Sequence, residues 1–192
     1  MGELQLEELR RIRRVADMLC TCHAVLRDRY SRIALFVDVI TLAFSTWILA
    51  LAFVSPTIAV RLSPFGWDSM IWMGALSAGT FFLTLLQLKT DWRGRSDGHK
   101  RSLAVYAEVK REAGYLIASG DGGEIEYLRV LARYDLASAV AVEIPEKDFL
   151  ALKRRHRIKV MISKHLDEHP GTSIVLFRTR IWYRDNFSRQ GK

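Results

Sequence analysis

The chain has 192 residues, of which 49% are hydrophobic and 26% are charged, and its formal net charge is +8. These averages exclude neither a soluble nor a membrane protein, because they mix two very apolar stretches with highly charged flanks. The length allows one domain, or one domain with a small addition. Most of the positive charge follows residue 88, and it favours anionic neighbours such as lipid headgroups or phosphates.

The first predicted element is an amphipathic cytoplasmic helix in residues 1–32. Its apolar positions recur at alternating steps of three and four, which is the spacing of a heptad seam along one helical face. The seam positions are Leu9, Ile12, Ala16, Leu19, His23, Leu26, Tyr30 and Ile33. We predict that the helix continues into the next element without a break. Its seam must pack either on another helix of this chain or on another copy.

The second element is a very apolar stretch at 33–54, in which Asp38 is the one charged residue. A helix needs about 20 mostly apolar residues to cross a hydrocarbon core roughly 30 Å thick, so this stretch predicts a transmembrane helix. It is too long for the apolar part of a signal peptide, and charged sequence precedes it. A buried core helix is the alternative, but a second run of this kind follows closely, which is unusual in soluble chains.

Three polar residues mark the first span. An ionisable side chain inside a membrane is costly and by default indicates a functional site, so Asp38 is a candidate for a membrane path or for an interface between copies. It lies near one end of the span, however, where it could reach interfacial water or pair with Arg32 or Lys89. Thr41 and Ser45 lie one turn apart and could form hydrogen bonds with another helix.

After a short loop at 55–69, residues 70–88 form a second apolar stretch that carries no charge. We predict a second transmembrane helix there, and hence a two-transmembrane helical hairpin in an all-α membrane protein. Gly74 and Ala78 are small residues four positions apart, a spacing that lets helix backbones approach closely in lipid. Packing within the hairpin and packing between copies both explain this pair.

The distribution of Lys and Arg around the two spans predicts their orientation. The loop carries Arg61 as its one basic residue, whereas the outer flanks carry many. These flanking residues are Arg27, Arg29, Arg32, Lys89, Arg93, Arg95, Lys100 and Arg101. An excess of basic residues marks the cytoplasmic side of a membrane. We therefore expect both termini in the cytoplasm and the loop outside.

Residues 89–192 are predicted to form a cytoplasmic helical region. It begins with a connector in which Gly94 and Gly98 interrupt the helical pattern. The connector is either a plain link between span and cytoplasmic helix or a hinge that couples ligand binding to the spans. Apolar periodicity then predicts helices at 102–119, at 124–142, from Pro145 onwards and after Pro170. For the last of these a strand is the alternative.

The densest charge in the chain is the basic run at 153–159, which contains Arg154, Arg155 and Arg157. Arginine grips phosphate bidentately, so these three residues are candidates for ligand binding. Three interpretations remain open: a solvated helix face, a contact with anionic inner-leaflet lipid, or a site for a phosphate-bearing signal. We do not expect direct nucleic-acid binding.

No residue pattern indicates an enzyme. The sequence lacks a Gly-rich phosphate loop, a nucleophile elbow and an HExxH motif. Cys20 and Cys22 lie on the predicted cytoplasmic side, where a disulfide is not expected, and no second ligand cluster completes a metal site with them. His165 and His169 are one turn apart, but Glu168 between them completes no zinc motif. We predict neither catalysis nor a metal or other cofactor.

The layout as a whole resembles the SLATT family, the two-transmembrane domains associated with SMODS and SLOG proteins. The likeness covers residues 5–165 and includes the entry into the first span, LRDRYSRIALFVDVI, and the stretch KREAGYLIASG that follows the second. Between them lie a tryptophan and a group of patterned residues: Trp92, His99, Leu103, Ala104 and Tyr106. The likeness rests on architecture and loose patterning rather than on a catalytic motif, so no ligand-binding residue is carried over from the family.

The resemblance implies a membrane effector of a bacterial conflict or anti-phage system, located in the inner membrane. Copies would associate into a pore or lesion that kills or arrests the infected cell, an outcome called abortive infection. The implied neighbours are a nucleotide-signal synthase, a nucleotide sensor or a reverse transcriptase. In this hypothesis the copies associate through the N-terminal seam and the cytoplasmic helices, and the Gly74 and Ala78 face packs the membrane part.

A second hypothesis belongs to a different class of protein. The chain could be a constitutive membrane anchor that recruits a soluble partner through its basic cytoplasmic helices and forms no pore. The sequence hardly separates the two hypotheses. Asp38, Thr41 and Ser45 favour a water-lined path, whereas the absence of any further charge in the spans weighs against one.

Overall fold

The computed structural model describes residues 2–54, 63, 68–120 and 122–187, and within these ranges all regular structure is helical. The six helices are α1 (Glu3–Phe53), α2 (Ser69–Thr90), α3 (Trp92–Ser119), α4 (Glu124–Val140), α5 (Glu146–Glu168) and α6 (Ile174–Phe187). The prediction of an all-α fold is confirmed. The predicted loop, including Arg61, lies almost entirely outside the described residues.

The first helix is 51 residues long and joins the amphipathic seam to the first apolar stretch without a break, as predicted. The sequence between Glu3 and Phe53 contains neither glycine nor proline, the two residues that most strongly oppose a helix interior. Nothing in the local sequence therefore ends the helix at the change from charged to apolar composition.

The chain divides into two compact units. The multi-helix unit comprises Met1–Val25 and Arg101–Lys192, and the span unit comprises Leu26–Lys100. The division falls inside α1 and inside α3, rather than at the ends of the apolar stretches where the sequence predicted it. The span unit extends past those stretches because polar contacts continue its packing. For example, Ser96 Oγ donates to the Arg27 carbonyl oxygen at 3.1 Å.

The core of the multi-helix unit contains the first part of the N-terminal seam. It consists of Leu9, Ile12 and Ala16 from α1, Tyr106, Val109 and Ala113 from α3, and Val130 and Ala137 from α4. The seam therefore packs on helices of its own chain. The side chains of Leu9, Ile12 and Ala16 are at most 1% exposed, so this part of the seam is filled by helices of the same chain.

Polar contacts join the helices of the same unit at its edge. Lys110 Nζ pairs with Asp17 Oδ1 at 2.6 Å, and the Val142 amide donates to Ser102 Oγ at 2.9 Å. His23, which the sequence places on the seam as a packing residue, is 1% exposed and stacks on the Tyr106 ring with 5.6 Å between centroids. These contacts give buried polar groups partners inside the unit.

The three helices that follow α3 begin close to the predicted positions. Gly123 and Pro145 occupy the N-cap positions of α4 and α5. The last segment is helical, so the alternative of a strand after Pro170 is excluded. The ring of Phe177 in α6 stacks on His165 of α5, with centroids 4.0 Å apart and planes inclined by 5°.

The apolar part of the span unit has a small internal core and a large apolar exterior. Leu51 and Leu76 are buried there, and Phe44, Ile48, Trp72 and Met73 pack against them. Both helices are long and apolar enough to cross a membrane. Within their most apolar stretches only 11% of the residues of the first and 6% of the second are buried in the protein. Most residues of these two stretches are therefore exposed on the surface of the protein instead of being packed inside it.

Candidate functional site

A polar cluster lies near one end of the apolar part of the span unit, with Asp38 at its centre. The Gln87 side-chain amide donates to Asp38 Oδ1 at 2.7 Å. The Arg93 guanidinium forms an ion pair with Asp38 Oδ2. The hydrogen bond from Arg93 to Asp38 raises the pKa of Arg93, because it stabilises the charged guanidinium. The carboxylate is thus bound to two donors of its own chain.

The cation that pairs with Asp38 differs from the two that the sequence suggested. Arg32 and Lys89 lie nearer to the ends of the apolar stretches, but the structure brings Arg93 to the carboxylate. The reason lies at Asp91, which adopts a left-handed conformation with φ of 43° and separates α2 from α3. Helix α2 ends before Asp91 and α3 begins directly after it, so Arg93 lies in the first turn of α3.

Asp91 caps two helices at once. Its amide donates to the Gln87 carbonyl oxygen at 3.0 Å and closes α2, while its Oδ1 accepts from the Gly94 amide at 3.0 Å and opens α3. A side-chain oxygen that accepts from the third residue of a helix is the usual N-cap contact. The interruption predicted at Gly94 and Gly98 therefore falls at Asp91, and both glycines lie inside α3.

Gly94 has a specific steric role beside this cap. A Cβ added at Gly94 would lie 2.1 Å from Asp91 Oδ2, whereas one at Gly114 in the same helix meets nothing closer than 3.7 Å. Replacing a helix-interior glycine with alanine normally stabilises by about 0.5–1 kcal/mol.

We therefore expect Gly114→Ala to raise the thermal midpoint of the helical signal, and Gly94→Ala to leave it unchanged or lower it. The lost cap, about 1 kcal/mol, offsets the gain at residue 94. Thermal unfolding followed by circular dichroism measures both variants under one condition. Equal stabilisation by the two substitutions would contradict the capping role of Asp91.

Thr41 and Ser45 of the first span bond within their own helix. Thr41 Oγ1 donates to the Val37 carbonyl oxygen and Ser45 Oγ to the Thr41 carbonyl oxygen, both at 2.8 Å. Such bonds to the preceding turn satisfy a hydroxyl without a second helix. Asp38 bonds to Gln87 and Arg93, whereas both hydroxyls bond to carbonyl oxygens of α1 itself.

Further from the apolar stretches, the span unit has a buried aromatic pair. The rings of Tyr30 and His99 are stacked, with 5.6 Å between centroids and 2° between planes. His99 is only 2% exposed, and this burial lowers its pKa because a charged imidazole would lose hydration. His99 is therefore held as a neutral packing residue.

The small residues of the second span lie on two different faces of α2. A Cβ built on Gly79 would lie 3.4 Å from the Phe44 ring, so Gly79 packs against α1. No atom lies within 4 Å of such a Cβ at Gly74, and Ala78 is exposed. Close packing inside the chain therefore explains Gly79 but leaves the Gly74 and Ala78 face without a partner among the described residues.

The basic run lies in the multi-helix unit on α5. Leu152 and His156 are buried, while Arg154, Arg155 and Arg157 are exposed. His156 Nδ1 lies 3.0 Å from Thr21 Oγ1, which ties α5 to α1. The run forms an open basic face rather than an enclosed binding site.

The thiols of the multi-helix unit are poorly reactive. Burial raises the pKa of Cys20 to about 11, and Cys22 is fully buried. A thiol with so high a pKa has little thiolate at neutral pH. Among residues 2–54, 63, 68–120 and 122–187 no three His, Cys, Asp or Glu side chains lie close enough together to hold a metal ion.

Two functional residues, Gln87 and Arg93, were missed in the sequence as partners of Asp38. One signal for Gln87 is its position. It is the last polar side chain of the second span, two residues before Lys89, just as Asp38 lies close after the basic flank of the first. When two antiparallel helices pack together, a residue near the start of the first and a residue near the end of the second lie at the same end of the pair. Arg93 gave no comparable signal, because its direction depends on the unusual backbone of Asp91.

Comparison with known proteins adds no relative to these observations. No protein-family model, no curated protein sequence and no solved structure matches the chain. In the described residues all regular structure is helical, and two of the helices are long and apolar enough to span a membrane.

Proposed function

We propose that the chain is a two-transmembrane effector whose copies associate in a bacterial inner membrane and permeabilise it on a signal from a nucleotide or a partner. The apolar exterior of the span unit carries this proposal. Large side chains such as Leu35, Phe36 and Phe82 are each more than 60% exposed there. Exposed apolar surface on this scale is costly in water and suits a lipid hydrocarbon core.

The contacts within the span unit support a transmembrane hairpin. Asp38 meets Gln87, Phe44 meets Gly79, and Leu51 packs with Leu76. As the position on α1 advances, the partner position on α2 recedes, which is the order of two antiparallel helices. In this proposal the Asp38 cluster lies at the cytoplasmic end of the hairpin, and the excess of flanking basic residues supports a cytoplasmic location of both termini.

The resemblance to SLATT domains supports an effector role rather than a purely structural one. A signal shifts the population of the open assembly only if its ligand or partner binds that assembly better than the closed one. The seam in the multi-helix unit is already occupied by the chain itself. Association must therefore use other surfaces, and the Gly74 and Ala78 face of α2 is the one that suits close helix packing in lipid.

Replacing Gly74 and Ala78 with leucine is expected to reduce release of a dye from vesicles containing the purified protein at least tenfold, without reducing insertion. The space around Gly74 is empty within one chain, so added side chains leave the hairpin intact but keep two copies apart. Release is measured by fluorescence, and insertion by flotation of the vesicles. Unchanged release would remove this face from the proposal.

Two control variants separate contacts between copies from contacts within one chain. Phe82→Leu alters another exposed position of α2 without adding bulk, and we expect it to leave release unchanged. Gly79→Leu forces a side chain against the Phe44 ring, so we expect weaker pairing of α1 and α2 themselves. If the Gly74 and Ala78 variant also weakened the pairing of α1 and α2, as expected for Gly79→Leu, its loss of release would indicate damage to the hairpin.

The alternative function, a constitutive anchor for a soluble partner, is favoured by one observation. Arg154, Arg155 and Arg157 form an open, exposed basic face on α5, which suits an acidic partner surface. An anchor inserts into vesicles but releases no dye under any condition, including addition of a cell extract that contains the products of neighbouring genes. Release of dye therefore decides between effector and anchor.

A further inference from the structure

The last helix, α6, is apolar on two sides, although one side already suffices to attach it to the protein. Its inner side bears Phe177, which stacks on His165, and Ile181, which is 5% exposed. This side accounts for the packing of α6 on α5. A second apolar side has no such explanation.

The outer side of α6 is formed by five large apolar or aromatic residues. Each is more than half exposed, and spacings of four and seven between them put them on one side of the helix. They are Val175, Leu176, Trp182, Tyr183 and Phe187. The three aromatic rings form a cluster, in which Trp182 meets Phe187 edge-on at 5.5 Å and Tyr183 stacks on Phe187 at 5.3 Å.

Two polar side chains within this outer face bond to the helix itself. Thr179 Oγ1 donates to the Leu176 carbonyl oxygen at 2.9 Å, and Asn186 Nδ2 donates to the Trp182 carbonyl oxygen at 2.7 Å. These bonds reduce the cost of removing the face from water, because the Thr179 hydroxyl and one Asn186 amide hydrogen keep their acceptors. The face is suited to an apolar surrounding rather than to bulk water.

Arginine residues border the outer face on both edges. Arg178 lies along one edge, and Arg180 and Arg184 lie along the other. Arg184 bonds to Asp185 at 3.0 Å, and α6 carries a net charge of +2, from three arginines and one aspartate. An isologous pair of α6 helices from two copies would bring arginine edges together, so like charges oppose a second copy as the occupant.

We propose that the outer face of α6 is a docking surface for an anionic lipid bilayer. The apolar and aromatic residues enter the boundary between headgroups and acyl chains, where Trp and Tyr are favoured. The arginine stems extend along the apolar face and their guanidinium groups bind lipid phosphates. The proposal rests on the membrane insertion of the spans, which keeps α6 at a high local concentration of lipid.

The docking is tested with the full chain in lipid nanodiscs that hold one copy each. A Tyr183→Cys variant carries a fluorescent maleimide, and a Lys164→Cys variant on the exposed side of α5 is the matched control. Cys22 is buried and Cys20 is half-buried, and background labelling of these native thiols is measured on the parent protein. In discs with one quarter phosphatidylglycerol, nitroxide-labelled lipid is expected to quench the label at 183 several times more than the label at 164.

The charge contribution is measured with Arg178→Gln, Arg180→Gln and Arg184→Gln combined. Each arginine at an anionic surface changes the docking equilibrium about fivefold, so we expect the selective quenching at 183 to be lost in this variant and weakened in discs of phosphatidylcholine alone. Equal quenching at 183 and 164 in the parent sequence would overturn the proposal. So would quenching that the three substitutions leave unchanged.

Two further outcomes are distinguished. A label at 183 that becomes shielded only when several copies share one vesicle identifies a second copy as the occupant and overturns the lipid proposal. A chain that does not enter nanodiscs contradicts the proposed function instead. In that event the labelled chain is mixed with preformed anionic vesicles, where quenching at 183 still decides whether α6 binds lipid.

Discussion

The Gln87→Leu variant is expected to unfold at a lower mole fraction of sodium dodecyl sulfate than a variant that carries both Gln87→Leu and Asp38→Leu. In the single variant the Asp38 carboxylate stays in place and loses the amide donor that lies 2.7 Å away. A polar group left without its partner costs about 1–2 kcal/mol, whereas replacing both partners with apolar groups is nearly neutral.

The measurement uses mixed micelles and the emission of tryptophan. The Trp47 and Trp72 rings are 6.1 Å apart in the folded span unit, so separation of the helices changes their surroundings. In the double variant Arg93 loses its anion, but its side chain is 75% exposed and can turn to water or headgroups. A double variant that is less stable than the single variant would contradict the pairing.

The same double variant also tests the role of Asp38 in the proposed effector. A carboxylate bound to Gln87 and Arg93 of its own chain has a structural role in the hairpin rather than a direct role in a water-lined path. We therefore expect the double variant to release dye from vesicles as the parent protein does. Loss of release in a folded, inserted double variant would instead assign Asp38 to the path.

Much of the fold could be predicted because the apolar periodicity of a long segment indicates a helix from the local sequence alone. The seam residues Leu9, Ile12 and Ala16 are buried as their spacing predicts, and α1 runs on because nothing in its sequence stops it. The partner of the seam could not be predicted, because the same apolar stripe suits a helix of its own chain and a helix of another copy. The packing of α3 and α4 against α1 gives Leu9, Ile12 and Ala16 partners within one chain.

The candidate site was predicted less completely, for a related reason. Asp38 is conspicuous in an apolar sequence, but its cation depends on the left-handed backbone of Asp91, which no periodicity indicates. The glycines at 94 and 98 resemble helix breakers, yet Gly94 is small so that the Asp91 carboxylate can reach its amide. Glycine is used both where two groups approach closely and where the backbone forms a flexible hinge, so the sequence does not distinguish these two roles.

The substitution Ile12→Ala is expected to lower the free energy of unfolding of the multi-helix unit by about 2–5 kcal/mol, because it leaves a cavity in a core where Ile12 is 1% exposed. The matched control on the same helix is Leu4→Ala, at a position that is 83% exposed. We expect it to change stability by less than about 0.5 kcal/mol. Urea unfolding in detergent, followed by circular dichroism, measures both.

Protein concentration turns this comparison into a test of how copies associate. A seam that is completed by α3 and α4 of the same chain unfolds at a urea concentration that does not depend on protein concentration. A seam shared between copies would be stabilised by mass action as concentration rises. If Ile12→Ala made the midpoint concentration-dependent, or if the parent midpoint rose with concentration, the seam would again be a contact between copies. A constant midpoint, together with loss of dye release in the Gly74 and Ala78 variant, would place the association of copies in the membrane and leave the seam to hold each multi-helix unit together.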